Sequence, residues 1–134
     1  MIVASPHADV AIPDLSLPDY VLEHAERHAD RPALIDGTSG QAMTCAELAE
    51  QVRRAAAGLA ARGFGPGDVL ALACPNTPEY AVVFLAALRL GGIVTPVNPL
   101  FKRDELRFQL LDSRASLLVT TPTALDTALA AAEQ

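Results

Sequence analysis

The second half of the chain alternates short apolar runs with longer segments of helical spacing, and this alternation restricts the possible folds strongly. The apolar runs occupy residues 69–74, 93–97 and 116–120. Helical patterns follow at residues 78–90 and 102–111, and an Ala-rich helix is expected after Thr121-Pro122. Buried strands that alternate with helices form parallel sheets with right-handed crossovers. The sequence therefore predicts an α/β fold with a three-stranded parallel βαβ-type sheet and flanking helices.

An antiparallel hairpin is predicted ahead of this sheet. Residues 33–36 and 41–44 have the composition of strands, and Gly37-Thr38-Ser39-Gly40 lies between them. Two strand-like runs joined by a short Gly-containing segment form a β-hairpin. The expected connection is a four-residue loop.

Proline marks the N-terminal region. Residues 1–18 contain three prolines and show no period, which predicts an extended arm. Apolar residues at helical spacing then predict a helix over residues 19–28, with Pro18 in its first turn and Pro32 beyond its end. Residues 19–134 are expected to form one domain, because a chain of 134 residues is long enough for a single core.

A second helix is predicted directly after the hairpin. Thr44 and Glu47 have the spacing of a capping box, in which each side chain bonds to the amide of the other residue. The helix that follows is expected to end at Gly63. Its apolar stripe consists of Leu48, Val52, Ala55 and Leu59.

Composition excludes several classes of protein. With 51% hydrophobic and 19% charged residues, the chain has a globular and not a disordered composition. A net charge of -6 argues against binding to nucleic acid, because the phosphate backbone would be repelled. The most apolar run, residues 81–88, is far shorter than the roughly 20 residues needed to span a bilayer.

The two cysteines and the N-terminal residues indicate a cellular location. Cys45 and Cys74 are too few for a disulfide framework and match no metal-binding spacing, so each is interpreted as a buried, inert thiol. Free thiols suit a reducing cytoplasm. The first residues lack the basic segment of a signal peptide. The expected location is cytoplasmic.

Two glycine-rich segments are interpreted as structural. Residues 63–68 and Gly91-Gly92 each connect a helix to a strand. A phosphate-binding loop has the opposite order, a strand followed by a helix whose N-terminus faces the anion. Both segments are therefore expected to end helices and form tight turns.

Small polar residues follow each predicted strand of the parallel sheet. Ligands in open α/β sheets bind at these carboxyl ends. The residues concerned are Asn76 and Thr77, Asn98, and Thr120 with Thr121. Capping and turn formation is the favoured interpretation, and a position next to a cofactor or the substrate stays open for Asn98.

The titratable residues form no recognisable catalytic or metal site. His24 and His28 are four residues apart on the predicted first helix, but no third ligand accompanies them, and His7 lies far away in sequence. The acidic residues are expected to lie at helix ends or on the surface, and they are Glu79, Asp104, Glu105 and Asp112. We therefore assign no catalytic, cofactor-binding or metal-binding residue.

Seven motifs in a fixed order resemble the N-terminal part of the adenylate-forming enzymes, the superfamily of acyl-CoA synthetases, 4-coumarate–CoA ligases and luciferases. In one of them Cys45 stands where a tyrosine is common. The form of Val97-Asn98-Pro99 is most similar to the 4-coumarate–CoA and fatty-acyl ligases. The motifs are RPALI (31–35), TCAEL (44–48), GPGDV (65–69), PNTPEY (75–80), GGIVTPVNP (91–99), ELRFQL (105–110) and DSRA (112–115).

The resemblance implies an incomplete part of the large N-terminal domain of these enzymes. They join a carboxylic acid to ATP with Mg²⁺, and CoA then displaces AMP from the acyl-adenylate. The family's phosphate loop ending in Gly-x-Pro-Lys, its ribose-binding acidic residue and its C-terminal Lys have no counterpart in this sequence. The resemblance therefore implies that this chain alone binds no ATP, Mg²⁺ or CoA, is inactive, and has the remainder of its own polypeptide as a partner.

Three alternatives stay open. The first is an adenylation domain that loads a carrier protein instead of CoA. The second is a freestanding α/β module that binds a ligand or partner without catalysis. The third is a structural or interaction remnant of a shortened gene.

Overall fold

The structure, a computed structural model, describes residues 6–8 and 10–133 and contains a mixture of helices and strands in the predicted order. The hairpin strands β1 (Pro32–Ile35) and β2 (Ala42–Thr44) are antiparallel. The parallel sheet contains β3 (Val69–Ala73), β4 (Ile93–Pro96) and β5 (Leu117–Thr120) in the order β4-β3-β5. The helices are α1 (Leu17–Leu22), α2 (Cys45–Ala60), α3 (Pro78–Arg89), α4 (Arg103–Ser113) and α5 (Leu125–Ala132). The predicted α/β class, with its three-stranded sheet and hairpin, is confirmed.

The central strand β3 is buried on both of its faces. Leu70 and Leu72 point to one side of the sheet, where they pack in a cluster with Phe64 and with Ala87 of α3. Ala71 and Ala73 point to the other side and pack in a cluster with residues of α4 and α5. Successive side chains of a strand alternate between faces, so one apolar run serves both layers. The result is a sheet with helices on both sides.

A second core lies between α2, α3 and the hairpin. Met43 of β2 packs there with apolar side chains of both helices. The capping box predicted at the start of α2 is present: the Thr44 amide donates to Glu47 Oε2 at 2.8 Å, and the Glu47 amide donates to Thr44 Oγ1 at 3.2 Å. The buried members of the predicted stripe are Leu48 and Val52, and Ala55 and Leu59 are partly buried beside them.

The prediction of a helix over residues 19–28 is wrong. Helix α1 begins at Leu17, with Ser16 as its N-cap, and ends at Leu22. Residues 23–30 continue as hydrogen-bonded turns, in which the Ala25 amide donates to the Leu22 carbonyl at 3.0 Å. Ala25 is the only fully buried residue of these turns, so no apolar stripe is available to stabilise further helix.

The predicted N-terminal arm is only partly described. Residues 1–5 and 9 lie outside the described residues, whereas residues 10–13 have no regular secondary structure. Leu17 and Pro18 belong to α1, with Pro18 in the first turn as predicted. Helix α1 therefore begins two residues inside the segment predicted as an arm.

Burial of the outer strands also differs from expectation. The residues of β4 and β5 are half-buried or exposed, because each strand pairs with β3 on one side only. The Ala-rich segment begins with a turn of 3₁₀-helix at Pro122–Ala124 before α5. Among the described residues, no helix is both long and apolar enough to cross a membrane.

Candidate functional site

The carboxyl ends of the three parallel strands meet at one edge of the sheet. The pairings of Leu72 with Pro96 and of Leu72 with Val119 bring the three ends level with one another. The predicted polar residues that follow the strands therefore lie at a common edge. Such an edge is where ligands bind in open α/β sheets.

Most of the polar groups at this edge form hydrogen bonds within the local structure. Asn98 Oδ1 accepts a hydrogen bond from the Leu100 amide at 3.0 Å, which closes a turn. Thr120 Oγ1 donates to the Ala73 carbonyl at 3.1 Å and thereby fastens β5 to β3. The hydroxyls of Thr121 and Thr123 lie 3.0 Å apart. These bonds support the interpretation as turn formation.

Thr77 differs in detail from its predicted capping role. It occupies the N-cap position of α3, but its side chain makes no capping hydrogen bond. The amide of Tyr80 donates instead to the main-chain carbonyl of Thr77 at 3.0 Å. This bond uses the Tyr80 amide, which would otherwise donate a hydrogen bond to a capping hydroxyl.

The two cysteines are half-buried, which corrects the prediction of buried thiols. Cys74 comes directly after β3, and its Sγ lies 3.6 Å from the Val119 carbonyl oxygen. Burial raises the pKa of the Cys74 thiol, which disfavours the reactive thiolate. Cys45 is the first residue of α2, which precedes the parallel sheet in the chain. Both positions lie at the end of an element, where coverage is incomplete.

The glycine-rich segments lie at the opposite edge of the sheet. Gly63, Gly67 and Gly91 have φ values of 84°, 84° and 72°, so they supply the left-handed conformations of tight turns. The Gly67 amide donates to the Gly91 carbonyl at 3.1 Å, which joins the two turns. Both segments precede strands, and their predicted structural role is confirmed.

Within residues 6–8 and 10–133, no three or more His, Cys, Asp or Glu side chains are grouped to hold a metal ion. His24 and His28 lie in the turns after α1, and not on one helix as predicted. The four acidic residues assigned to helix ends or the surface are all exposed. Glu105, one of them, accepts a hydrogen bond from the Lys102 amide at 3.0 Å and so caps α4.

The structure therefore brings the predicted polar residues to one edge, where the hydrogen bonds of Asn98, Thr120 and Thr121 are to neighbouring parts of the chain. The bond from Thr120 to the Ala73 carbonyl could not be predicted from the sequence, because it depends on the register between β5 and β3. A threonine at the end of an apolar run is the only local signal of it.

Comparison with known proteins identifies the family. The family model described as "AMP-binding enzyme" matches residues 21–134. The chain is 43% identical over 115 residues to 4-coumarate–CoA ligase 5 of Oryza sativa subsp. japonica, covering 85% of this chain and 21% of the relative. It is 37% identical over 119 residues to 4-coumarate–CoA ligase CCL1 of Humulus lupulus, covering 88% and 22%. The chain thus spans about a fifth of the length of these curated relatives.

Solved structures agree with this assignment. A benzoate CoA ligase from Burkholderia xenovorans LB400 matches with a TM-score of 0.81 and 26% identity, over 87% of this chain and 24% of that chain. The N-terminal domain of FACL13 from Mycobacterium tuberculosis matches with a TM-score of 0.79 and 26% identity, over 87% and 29%. The sheet and hairpin form an incomplete part of such a domain, and the chain belongs to the AMP-binding enzyme family.

Proposed function

We propose that this chain is part of the adenylate-forming domain of an ATP-dependent acyl- or aryl-CoA ligase, with residues 19–134 as its domain portion. The observation that carries the proposal is the 43% identity to a 4-coumarate–CoA ligase over 115 residues. In the proposed reaction, a carboxylate oxygen attacks the α-phosphorus of ATP and pyrophosphate leaves. The sulfur of CoA then attacks the acyl carbonyl carbon, and AMP leaves.

On this proposal, the residues that the structure describes do not bind ATP or Mg²⁺ by themselves. A phosphate site of this kind needs amides at the start of a helix after a glycine-rich loop, whereas the glycine turns here precede strands. Magnesium at nucleotide sites is usually held by one or two carboxylates together with water and the phosphates of the substrate, so its binding depends on the same phosphate site. No step of the reaction is therefore assigned to these residues.

The role proposed for the chain is that of a scaffold. The strand ends at Asn98 and Thr120 are fixed by local hydrogen bonds, which gives the sheet edge a defined shape. The proposed partners are the remainder of the same polypeptide and a carboxylic acid substrate. On this proposal, the chain alone contains no catalytic or cofactor-binding residue and is inactive. Free thiols at both cysteines support the cytoplasm as the proposed location.

A chimeric enzyme tests the proposal. Residues 19–134 would replace the matching segment of the rice 4-coumarate–CoA ligase 5, and CoA-ester formation from 4-coumarate, ATP and CoA would be followed. We expect the chimera to retain activity, because the segment supplies the same scaffold. The 134-residue chain alone is the control, and it is expected to bind no ATP in calorimetry at micromolar concentration.

Three outcomes would change the proposal. A folded but inactive chimera would contradict the scaffold role. Binding of ATP to the chain alone would show that a nucleotide site is present after all. If a longer native protein that carries this segment formed acyl-adenylate but no CoA ester, loading of a carrier protein would become the better assignment.

A further inference from the structure

The loop between β1 and β2 contains a dipeptide that can react within itself. Asp36-Gly37 is the only place in the sequence where an aspartate or asparagine is followed by glycine. In such a dipeptide the main-chain nitrogen of glycine can attack the side-chain carboxyl carbon of aspartate, and water leaves as a succinimide ring closes. Water then reopens the ring at either carbonyl, which gives aspartate or isoaspartate. In isoaspartate the main chain passes through the side-chain carboxyl group and is one carbon atom longer.

The nitrogen of Gly37 is available for this attack. Gly37 is exposed, and a Cβ atom built on it would meet no other atom within 4 Å. Its amide donates no hydrogen bond to any residue that the structure describes. Neither a side chain nor a hydrogen bond therefore hinders the approach of this nitrogen to the Asp36 carboxyl group.

The carboxyl group of Asp36, in contrast, is held by three hydrogen bonds. Its Oδ1 atom accepts from the Ser39 amide at 2.6 Å, from the Ser39 hydroxyl at 2.8 Å and from the Thr38 amide at 3.0 Å. The bonds from the amide and the hydroxyl of Ser39 lower the pKa of the Asp36 carboxyl, so they favour its ionised form. Ring closure expels a carboxyl oxygen as water, which the ionised form disfavours. Ser39 therefore opposes the reaction that Gly37 permits.

We propose that Asp36 is a site of spontaneous isomerisation to isoaspartate, and that the hydroxyl of Ser39 slows this modification in the folded protein. The added carbon atom enters the main chain at the base of the loop, where the Gly40 amide donates to the Asp36 carbonyl at 2.8 Å. The site lies in the hairpin and not at the strand ends of the parallel sheet. The modification is therefore independent of the ligase function proposed above.

Substitutions in the loop test the proposal. Purified protein that carries the complete sequence is incubated at pH 6 and 37 °C for several weeks, and isoaspartate at residue 36 is measured by peptide mass spectrometry with electron-transfer fragmentation. We expect it to accumulate severalfold faster in Ser39→Ala, because a carboxyl group that accepts fewer hydrogen bonds is protonated more often. Gly37→Ala should slow the reaction, since the added methyl group hinders the nitrogen. Thr38→Ala is the matched control with an unchanged rate, because Thr38 bonds to Asp36 through its amide, which alanine retains.

Denaturation separates the effect of the hydrogen bonds from that of the sequence. In guanidinium chloride the loop bonds are lost, so the unchanged protein should isomerise faster than when folded and at the same rate as Ser39→Ala. Ser39→Thr keeps a hydroxyl group and should retain the slow rate of the folded protein. Absence of isoaspartate at residue 36 from the folded protein would overturn the site. Equal rates in the folded and the denatured unchanged protein would overturn the role of Ser39, and this comparison needs no variant to fold.

Discussion

At the scale of single residues, Gly92 is the glycine with the least space for an added Cβ atom. A Cβ atom built there would lie 2.4 Å from Cε1 and 2.5 Å from Cζ of the Phe64 ring. Phe64 is 7% exposed and belongs to the core on the α3 side of the sheet. The ring therefore cannot move away without disturbing its neighbours, since protein cores are closely packed.

We expect Gly92→Ala to lower the free energy of unfolding by about 1–3 kcal/mol through overpacking against Phe64. The midpoint of urea denaturation measures this change. Gly65→Ala is the matched control, because nothing lies within 4 Å of its added Cβ, and it should change stability by less than about 0.5 kcal/mol. Equal effects of the two substitutions would contradict the predicted clash.

Glu47 gives a prediction about pH at the same scale. Hydrogen bonds from the Thr44 amide and hydroxyl lower the pKa of the Glu47 carboxyl below its ordinary value of 4.5. A lowered pKa in the folded protein contributes stability above the ordinary value, and this contribution is lost as the pH falls through the lowered one. Glu47→Gln removes the titration, so the stability difference from the unchanged protein should be present at pH 7 and should vanish below the lowered pKa. Denaturation at a series of pH values measures it, and a constant difference would refute the assignment.

At the scale of elements, α5 is held at its C-terminus by two arginines of α4. Arg103 Nε donates to the Ala130 carbonyl at 3.1 Å, and Arg107 Nη1 donates to the carbonyls of Ala131 and Glu133. The last carbonyls of a helix have no partners within it, and positive charge is favourable there. These contacts fasten the end of the Ala-rich helix to its neighbour.

We expect Arg107→Ala to loosen α5 and to destabilise it by about 1.5–3 kcal/mol, the range for hydrogen bonds to charged groups. Hydrogen exchange of the amides at residues 125–132 measures the loss of protection. Arg54→Ala, at an exposed position of α2, serves as the control and should leave exchange in α5 unchanged. Unchanged exchange in Arg107→Ala would show that the bonds do not hold the helix.

How far the fold could be predicted depended on the kind of element. Strand β3 was predictable because each of its residues is apolar, and α2 because its capping box is local in sequence. The extent of α1 was not predictable from spacing alone, since only Ala25 of the following turns finds a place in the core. At the candidate site, the common edge followed from the parallel order, but the bond from Thr120 to Ala73 required the register of the sheet.

At the scale of the whole molecule, both outer strands and the outer helices leave apolar side chains in contact with solvent. β4 and β5 each have one unpaired edge. The exposed fractions are 53% for Ile93, 71% for Phe108, 62% for Leu111 and 56% for Leu129. Open sheet edges and exposed apolar patches favour association.

The chain alone should therefore self-associate and bind a hydrophobic dye. Sedimentation velocity and dye fluorescence measure the two properties, with the chimeric enzyme described above as the reference. Phe108→Glu should reduce both, because it removes the most exposed aromatic ring of α4. A purified chain that is monomeric, melts cooperatively and leaves the dye dark would contradict this expectation.

The central position of β3 has a consequence for the order of folding. Its pairing with β4 joins residues that are close in sequence, such as Val69 and Ile93, whereas its bond with β5 joins residues 47 positions apart. Closing a loop twice as long costs only about 0.6 kcal/mol more, but this entropy is lost before the long-range contact contributes any stability. The strands β3 and β4 with α3 should thus form the nucleus, so that Val94→Ala slows folding while Val119→Ala mainly speeds unfolding. Stopped-flow kinetics of the two variants would then show which half of the sheet forms first during folding and which half forms last.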